Sequence, residues 1–536
     1  MRPRFFKQLM AVLCLILPFL WGGTVYSKEY IIKIKKSKHS FSKAMTMLAE
    51  EIGLPIKDSH PKGGLAMVDI KEPIEEKLKF LRSNQDIEYV VENIDFHAFD
   101  IPNDPEFSSQ WALKKVDALT AWDLQKGSKD VVVAVIDTGV DTNHKDLEEH
   151  IWKNSEEVAG NGVDDDQNGF VDDVEGWDFF DNDNSPNDET SSKNPGHGTH
   201  CAGIVGAVGD NGVGTSGIAQ KVTLMPVRFL GADGSGQLLS AAKAIDYAVD
   251  NGAHVISASW GAEVSRSGVK PILEAIQRAE EQGVMFVAAA ANNGKSNDSK
   301  EVYPANAGFD NVISVAASDQ NDQKPSWSNY GRSTVDVSSP GLNILSTLPE
   351  NKTGKLSGTS MATPLVAGAV ALLISQAQAE DRVLAPLEYK SIIQATGSKV
   401  AIETACACRI DVAAAIKSVT ENSLTVVPNA FTIGLEQTRN VTATGGEPPY
   451  TFVSSKPEVA TISPEGVLTA EAEGDTVITV TDTTGETAKS KMVFVGLPEP
   501  NEEECPFGPL CGPMCQINPS LPWCPGGGEN DSDLIL

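Results

Sequence analysis

Basic residues are scarce in this chain of 536 residues: 43 Lys and Arg stand against 73 Asp and Glu, a formal net charge of −30. So acidic a surface argues against nucleic acid as a partner and for solubility outside the cell. Long hydrophobic runs are few as well. Arg2, Arg4 and Lys7 precede one apolar run, Leu9 to Trp21, which is too short to span a bilayer comfortably. With small residues near Ser27 it reads as a signal peptide over 1–27; an uncleaved anchor is the alternative. Cys14 follows Leu13 rather than the small residue that a lipoprotein signal requires. Without that segment, no other run suits a membrane helix better than the core of a globular domain, so the mature product is expected to be soluble and exported.

Cysteine is sparse too, with eight in all, and Cys14 leaves with the signal segment. Cys505, Cys511, Cys515 and Cys524 fall in a Pro/Gly-rich tail, and Cys406 and Cys408 stand closer to the middle. In an exported chain the four cysteines of the tail suggest disulfides, with connectivity open; zinc binding by the tail is the alternative. The length allows about three domains.

What is present is a set of dense motifs. Val131 to Ile136 is an apolar run that reads as a buried parallel strand, ending in Asp137-Thr138-Gly139. Gly196-His197-Gly198-Thr199-His200 opens a small-residue helix. Ser357-Gly358-Thr359-Ser360-Met361-Ala362-Thr363-Pro364 opens a long apolar one, with Pro364 placed in its first turn. An Asp, a His and a Ser, each in its own glycine-rich motif and in this order, make a hydrolase triad in one of the orders by which that geometry recurs. Asp137 is placed to orient an imidazole and to stabilise its cationic form, while Ser360 at a helix N-terminus has backbone donors near a developing oxyanion. His200 reads as a hydrogen-bonded core histidine.

These motifs, VIDTGVD, GHGTHCAG and SGTSMATPLVAG, resemble those of the subtilase family of serine endopeptidases, from about Asn103 to Val419, and within it the thermitase-like branch. The resemblance implies that Asn292, after the strand-like Val284-Met285-Phe286-Val287-Ala288-Ala289, is the second oxyanion donor. The family's usual glycine before it is Ala291 here, whose added methyl at the wall of the S1 pocket is expected to make that pocket shallower. Gly234-Ser235-Gly236 and Ser259-Trp260-Gly261 match the segments that pair with an extended peptide. Cys201 resembles the branch's free cysteine and reads as a buried small hydrophobe. Leu365 replaces a common His, a packing change.

The fold expected is α/β: a subtilisin-like catalytic domain over 102–420, with a mostly parallel sheet between helices. It is preceded over 28–101 by an α+β ferredoxin-like stretch similar to an inhibitory and chaperone prodomain, or else a retained binding domain. A small β-sandwich, similar to a bacterial Ig-like domain, follows over 424–496, and the tail occupies 497–536.

Calcium is the cofactor expected. Residues 164–175 match a twelve-position calcium loop, with Asp164, Asp166 and Asn168 at one, three and five, Gly169 at six, Asp172 at nine and Glu175 at twelve; a solvated acidic loop is the alternative. A second site follows from resemblance alone, through Asp104, Asp146 and Asn211, although Asn211-Gly212 also suits a plain turn. The whole reads as a secreted or extracytoplasmic, monomeric, self-processing serine endopeptidase that acts on proteins or peptides and is inhibited by its own prodomain. It keeps no membrane insertion. A silent binding protein and a small-acyl esterase are the rivals.

Overall fold

The computed structural model describes residues 27–35, 53–71, 74–84, 86–93 and 101–496, with Phe41, Thr46 and Glu50. All of the signal segment but Ser27, the end of the stretch before the catalytic domain, and the tail with its four cysteines lie outside them. The chain divides into two compact units, 1–98 and 99–536.

The first unit is an antiparallel sheet of strands Ser27–Ile34 (β1), Ile56–His60 (β2), Leu65–Lys71 (β3) and Ile87–Glu92 (β4), in the order β2-β3-β1-β4. Alternation turns Tyr30, Ile32 and Ile34 to one face, where Val68, Ile70 and Val90 join them. The helix Ile74–Ser83 lays Leu78 and Leu81 on that face. Three strands are legible in the sequence. The fourth, β2, is mostly exposed and polar, so no alternation marks it.

The second unit is built on a nine-stranded sheet. Its strands are Gly127–Asp137 (β5), Trp177–Asp178 (β6), Lys221–Arg228 (β7), Val255–Ala258 (β8), Met285–Ala289 (β9), Val312–Ser318 (β10), Val337–Pro340 (β11), Ser398–Lys399 (β14) and Cys408–Arg409 (β15). Their order is β14-β15-β11-β10-β9-β8-β5-β7-β6, parallel throughout except at the β14–β15 edge. A hairpin of Ile344–Leu348 (β12) and Lys352–Leu356 (β13) lies apart from it. Both faces are covered, which is why the strands read as continuous apolar runs. Val133 and Val135 face one core with the helices His197–Gly206 and Thr359–Ala379, whereas Ala134 and Ile136 face the other with Leu238–Asp250 and Lys270–Glu281.

Beside β5 the strand order turns: β7 lies on one flank and β8, β9, β10 and β11 run out on the other. Ligand sites in open α/β sheets form at the carboxyl ends of strands at such a switch. Asp137 is the last residue of β5.

The helix Thr359–Ala379 is long and apolar enough to cross a membrane, yet from Thr359 to Ala377 it is buried as core. It begins at Thr359, so Pro364 falls in the second turn and not the first. A proline there withholds the N–H that would reach the carbonyl four residues back, that of Ser360. That carbonyl accepts instead from Ser259 Oγ at 2.9 Å and Cys201 Sγ at 3.5 Å.

From Thr425 to Gly496 short strands form small sheets around Val426, Leu468, Ile478, Val480 and Val493. They include Thr425–Val427, Thr438–Asn440, Thr442–Thr444 and Ile478–Thr481, within the 424–496 stretch expected to be strand-rich. This region rests against the sheet-bearing part: Gln394 Oε1 accepts from the Ala430 N–H at 3.2 Å, and Arg332 contacts both oxygens of Asp475 at 3.0 Å. Cys406 and Cys408 are disulfide-bonded to each other.

Gly368 lets the helix Thr359–Ala379 approach the helix His197–Gly206: a Cβ there would lie 1.9 Å from Ile218 Cγ2 and 3.1 Å from the Val205 carbonyl. Gly368→Ala gains roughly 1 kcal/mol of helix propensity but overpacks the contact by about 1–3 kcal/mol. The expected outcome is a lower denaturation midpoint, and an unchanged or raised midpoint contradicts this packing.

Candidate active site

At the end of β5, Asp137 Oδ1 accepts from the Thr138 N–H at 2.8 Å and from His197 Nδ1 at 2.7 Å. The approach needs a residue without a side chain next to the histidine, because a Cβ on Gly198 would lie 2.1 Å from the Gly139 carbonyl and 3.1 Å from Asp137 Cβ. His197 is the first residue of its helix, and Asn194 Oδ1 accepts from the Gly196 and His197 N–H groups at 2.9 and 2.7 Å. Burial pushes a charged imidazole down, but the Asp137 carboxylate outweighs it and holds His197 well above the usual histidine value.

Ser360 stands in the first turn of its helix, buried, and Cys201 links it to the histidine, with Sγ 3.5 Å from the Ser360 carbonyl and 3.9 Å from His197 Nδ1. Ser360 Oγ donates to the Ser259 carbonyl at 3.2 Å, so the hydroxyl is engaged there and not with His197. Cys201 is free and buried, with Sγ 3.9 Å from His197 Nδ1, and burial raises its thiol. His200 binds the carbonyls of Ile344 and Gly354 through Nε2 at 3.0 and 3.1 Å; burial pulls it down to about 3, so it stays neutral. Leu365 is buried in the core.

Asn292 follows β9. Its Oδ1 accepts from the Thr359 N–H at 2.8 Å and Thr359 Oγ1 at 3.0 Å, which leaves the Nδ2 donors for a ligand. Asn292, Thr359 and Ser360 share a cavity of about 90 Å³ with Gly261, Ala289, Ala291 and Val302. Ser259, Trp260 and Gly261 continue from β8, and Ala262 exchanges hydrogen bonds with Tyr303 at 2.8 and 2.9 Å. Gly234, Ser235 and Gly236 form a turn after β7, where Gly231 donates to the Ser235 carbonyl at 2.9 Å and Leu230 bridges Gly236. Both segments therefore stand at the same end of the sheet as Asp137 and Ser360.

Two acidic groups suit a hard cation. Asp104 and Asp146 are buried without a Lys or Arg partner among the described residues, and burial raises both carboxyls. Their partners are uncharged donors: Asp104 accepts from the N–H groups of Asp210 and Asn211, while Asp146 accepts from Asn211 Nδ2 at 2.9 Å and from the Thr215 N–H at 2.8 Å and Oγ1 at 3.3 Å. Buried carboxylates of this kind fit an oxygen-coordinated ion. In the acidic loop, Asp164 and Asp166 converge with Glu157, their oxygens within 4.8 Å of one another. Asn168 donates through Nδ2 to Asp166 at 2.9 Å. The loop departs from the twelve-position pattern at two places: Asp172 gives its oxygens to the N–H groups of Asn161 and Gly162, and Glu175 pairs with Lys153. Glu157, upstream of the pattern, stands where Glu175 was expected.

Sequence reasoning passes over Asp188. Its carboxylate accepts from Thr138 Oγ1 at 3.0 Å, Asn194 Nδ2 at 3.0 Å and the Thr199 N–H at 2.9 Å, tying the turn after Asp137 to the start of the histidine helix. Burial holds its carboxyl above the usual range. It stands among many acids in the sequence, and no pattern marks it. Arg228, at the end of β7, is buried against Asp178, with Asp181 at 2.9 Å and Glu189 at 3.0 Å, and escapes notice for the same reason.

The profile described as Subtilase family matches residues 128–432, and that described as Intimin, immunoglobulin-like domain matches 436–484. Thermitase of Thermoactinomyces vulgaris is 43% identical over 288 residues, covering 54% of this chain and 90% of the relative. Thermophilic serine proteinase of Bacillus sp. (strain AK1) is 35% identical over 382 residues, covering 70% of this chain and 84% of the relative. Subtilisin BL of Lederbergia lenta is 36% identical over 266 residues, covering 50% and 84%. With a family match over more than half of its length and these relatives, on an α/β fold that brings an Asp, a His and a Ser to one sheet end, the chain belongs to the subtilase family of serine-type peptidases.

Proposed function

We propose that this chain is an exported serine endopeptidase made as a self-processing zymogen, in which His197 takes the proton of Ser360 as its Oγ attacks the scissile carbonyl. The observation that carries this reading is the 2.7 Å bond between His197 Nδ1 and Asp137 beside Ser360. Asp137 keeps the proton on Nδ1, so that Nε2 is the base, and stabilises the imidazolium as it forms. The Ser360 N–H and Asn292 Nδ2 hold the oxyanion, an acyl-enzyme forms, and water releases it. An extended peptide lies between the 234–236 and 259–261 segments as an added strand.

Residues 28–101 act as prodomain and inhibitor, 102–420 as catalytic domain and 424–496 as an Ig-like module. The charge pattern and the segment 1–27 support export to the extracellular space, the periplasm or the cell surface. Asp104, Asp146 and Asn211 hold one calcium ion; Asp164 and Asp166, with Glu157 and Asn168, hold another. Calcium would supply charge compensation to these buried and half-buried carboxylates, and no bond-making step depends on it.

Intact mass and N-terminal sequencing test the zymogen reading. Wild type sheds the segment before about Asn103 whereas Ser360→Ala retains it; identical processing of the two contradicts self-cleavage. The raised His197 value sets the pH profile: the base works when neutral, so kcat/KM climbs as pH rises through a value above 6.5, the ordinary one for histidine. Asp137→Asn removes that support, moving the acid limb down and lowering kcat by about 10⁴. An acid limb at or below the ordinary value in wild type contradicts the assignment. Calcium binds the folded state, so 100 times its Kd adds about 2.7 kcal/mol of stability. Thermal midpoints should rise with free calcium and fall with EDTA, and Asp146→Asn should remove part of the response; no dependence on calcium in wild type contradicts both sites.

A further inference from the structure

The turn that carries Asn292 holds a backbone shape that its sequence resists. Ala291 has φ +87, in the left-handed region that favours glycine. Such a residue persists only where its surroundings over-determine it.

Two buried asparagines outside the catalytic motifs supply that constraint. Asn329, with no exposed surface, donates its N–H to the Ala291 carbonyl at 2.9 Å. Its Oδ1 accepts from the N–H groups of Asn293 at 3.1 Å and Lys295 at 3.0 Å, and its Nδ2 donates to Asn297 Oδ1 at 2.9 Å. Asn297, 1% exposed, donates Nδ2 to the Ala290 carbonyl at 3.0 Å. The pair thus takes up the polar groups of the turn on both sides of Ala291. From the other side, Thr359 Oγ1 accepts from the Ala291 N–H at 3.2 Å while Thr359 also holds Asn292 Oδ1. Neither asparagine side chain bonds to Asn292. They act on it through the backbone.

We propose that Asn329, supported by Asn297, is a positioning residue that holds the 290–295 turn in its strained shape and thereby aims the Asn292 amide at the oxyanion. The proposal rests on the reading of Asn292 as an oxyanion donor. An amide aimed wrongly is lost in the transition state more than in the ground state, so kcat suffers and KM does not. Because the strain belongs to the Ala291 side chain, glycine at that position lightens the task of Asn329.

A double-mutant cycle of Asn329→Ala and Ala291→Gly, read as kcat and KM on one extended peptide, tests this. Asn329→Ala is expected to lower kcat about tenfold or more with little change in KM, and in the Ala291→Gly background the loss should shrink by about tenfold, the equivalent of the relieved strain. An equal loss in both backgrounds, or a loss confined to KM, overturns the proposal. Should Asn329→Ala fail to fold, Asn329→Ser in the same cycle decides by the same criterion. Asn292→Ala separates the two readings: a loss of about 10²–10³ in kcat supports the oxyanion donor. That loss with an additive cycle sinks only the positioning role; no loss sinks the donor reading itself.

Discussion

The carboxyl end of β5 is the point from which the site hangs. Asp137 offers Oδ1 to His197, and its carbonyl accepts from the N–H groups of Phe229 and Leu230 at 3.1 and 3.3 Å, which starts the 234–236 turn on its path. One residue earlier, the Ile136 carbonyl accepts the Trp260 indole N–H at 2.8 Å. His197 and both flanking segments are therefore indexed to two consecutive residues on a buried strand. A site on rigid elements holds its geometry more closely than one on loops.

Ser360 is fastened to that frame by a missing hydrogen bond. Pro364 leaves the Ser360 carbonyl unclaimed by its own helix, and Ser259 and Cys201 take it. Ser259 belongs to the segment after β8 and Cys201 to the histidine helix, so one carbonyl links three parts of the site. The reciprocal bond, from Ser360 Oγ to the Ser259 carbonyl, holds the hydroxyl in the same contact. An unpaired buried carbonyl would be costly. Here the vacancy left by proline becomes the attachment.

Much of this was legible from residues alone, because Asp137, His197, Ser360 and Asn292 each follow or open an element whose apolar or small-residue run marks it. The central strands β5 and β9 announce themselves as apolar stretches. What stayed hidden depends on folding in three dimensions. Asp188 and Glu157 are single acids in acidic loops, and their meaning lies in what converges on them. Glu175 fits a linear calcium pattern that presumes its usual flanking geometry; here the loop turns it to Lys153. The Cys406–Cys408 pair was one of many combinations open to the cysteines. Pro364 was misplaced by one turn because the helix start is set by Thr359, whose N–H is held by Asn292.

The central claim is that Ser360 is a nucleophile activated by His197. Reaction with a fluorophosphonate, followed by peptide mass mapping, tests it most directly, since that reagent phosphonylates a serine only where a base removes its proton. The account predicts a single label on Ser360 in wild type and its loss in His197→Ala. A label on another residue, or undiminished labelling of His197→Ala, would contradict it.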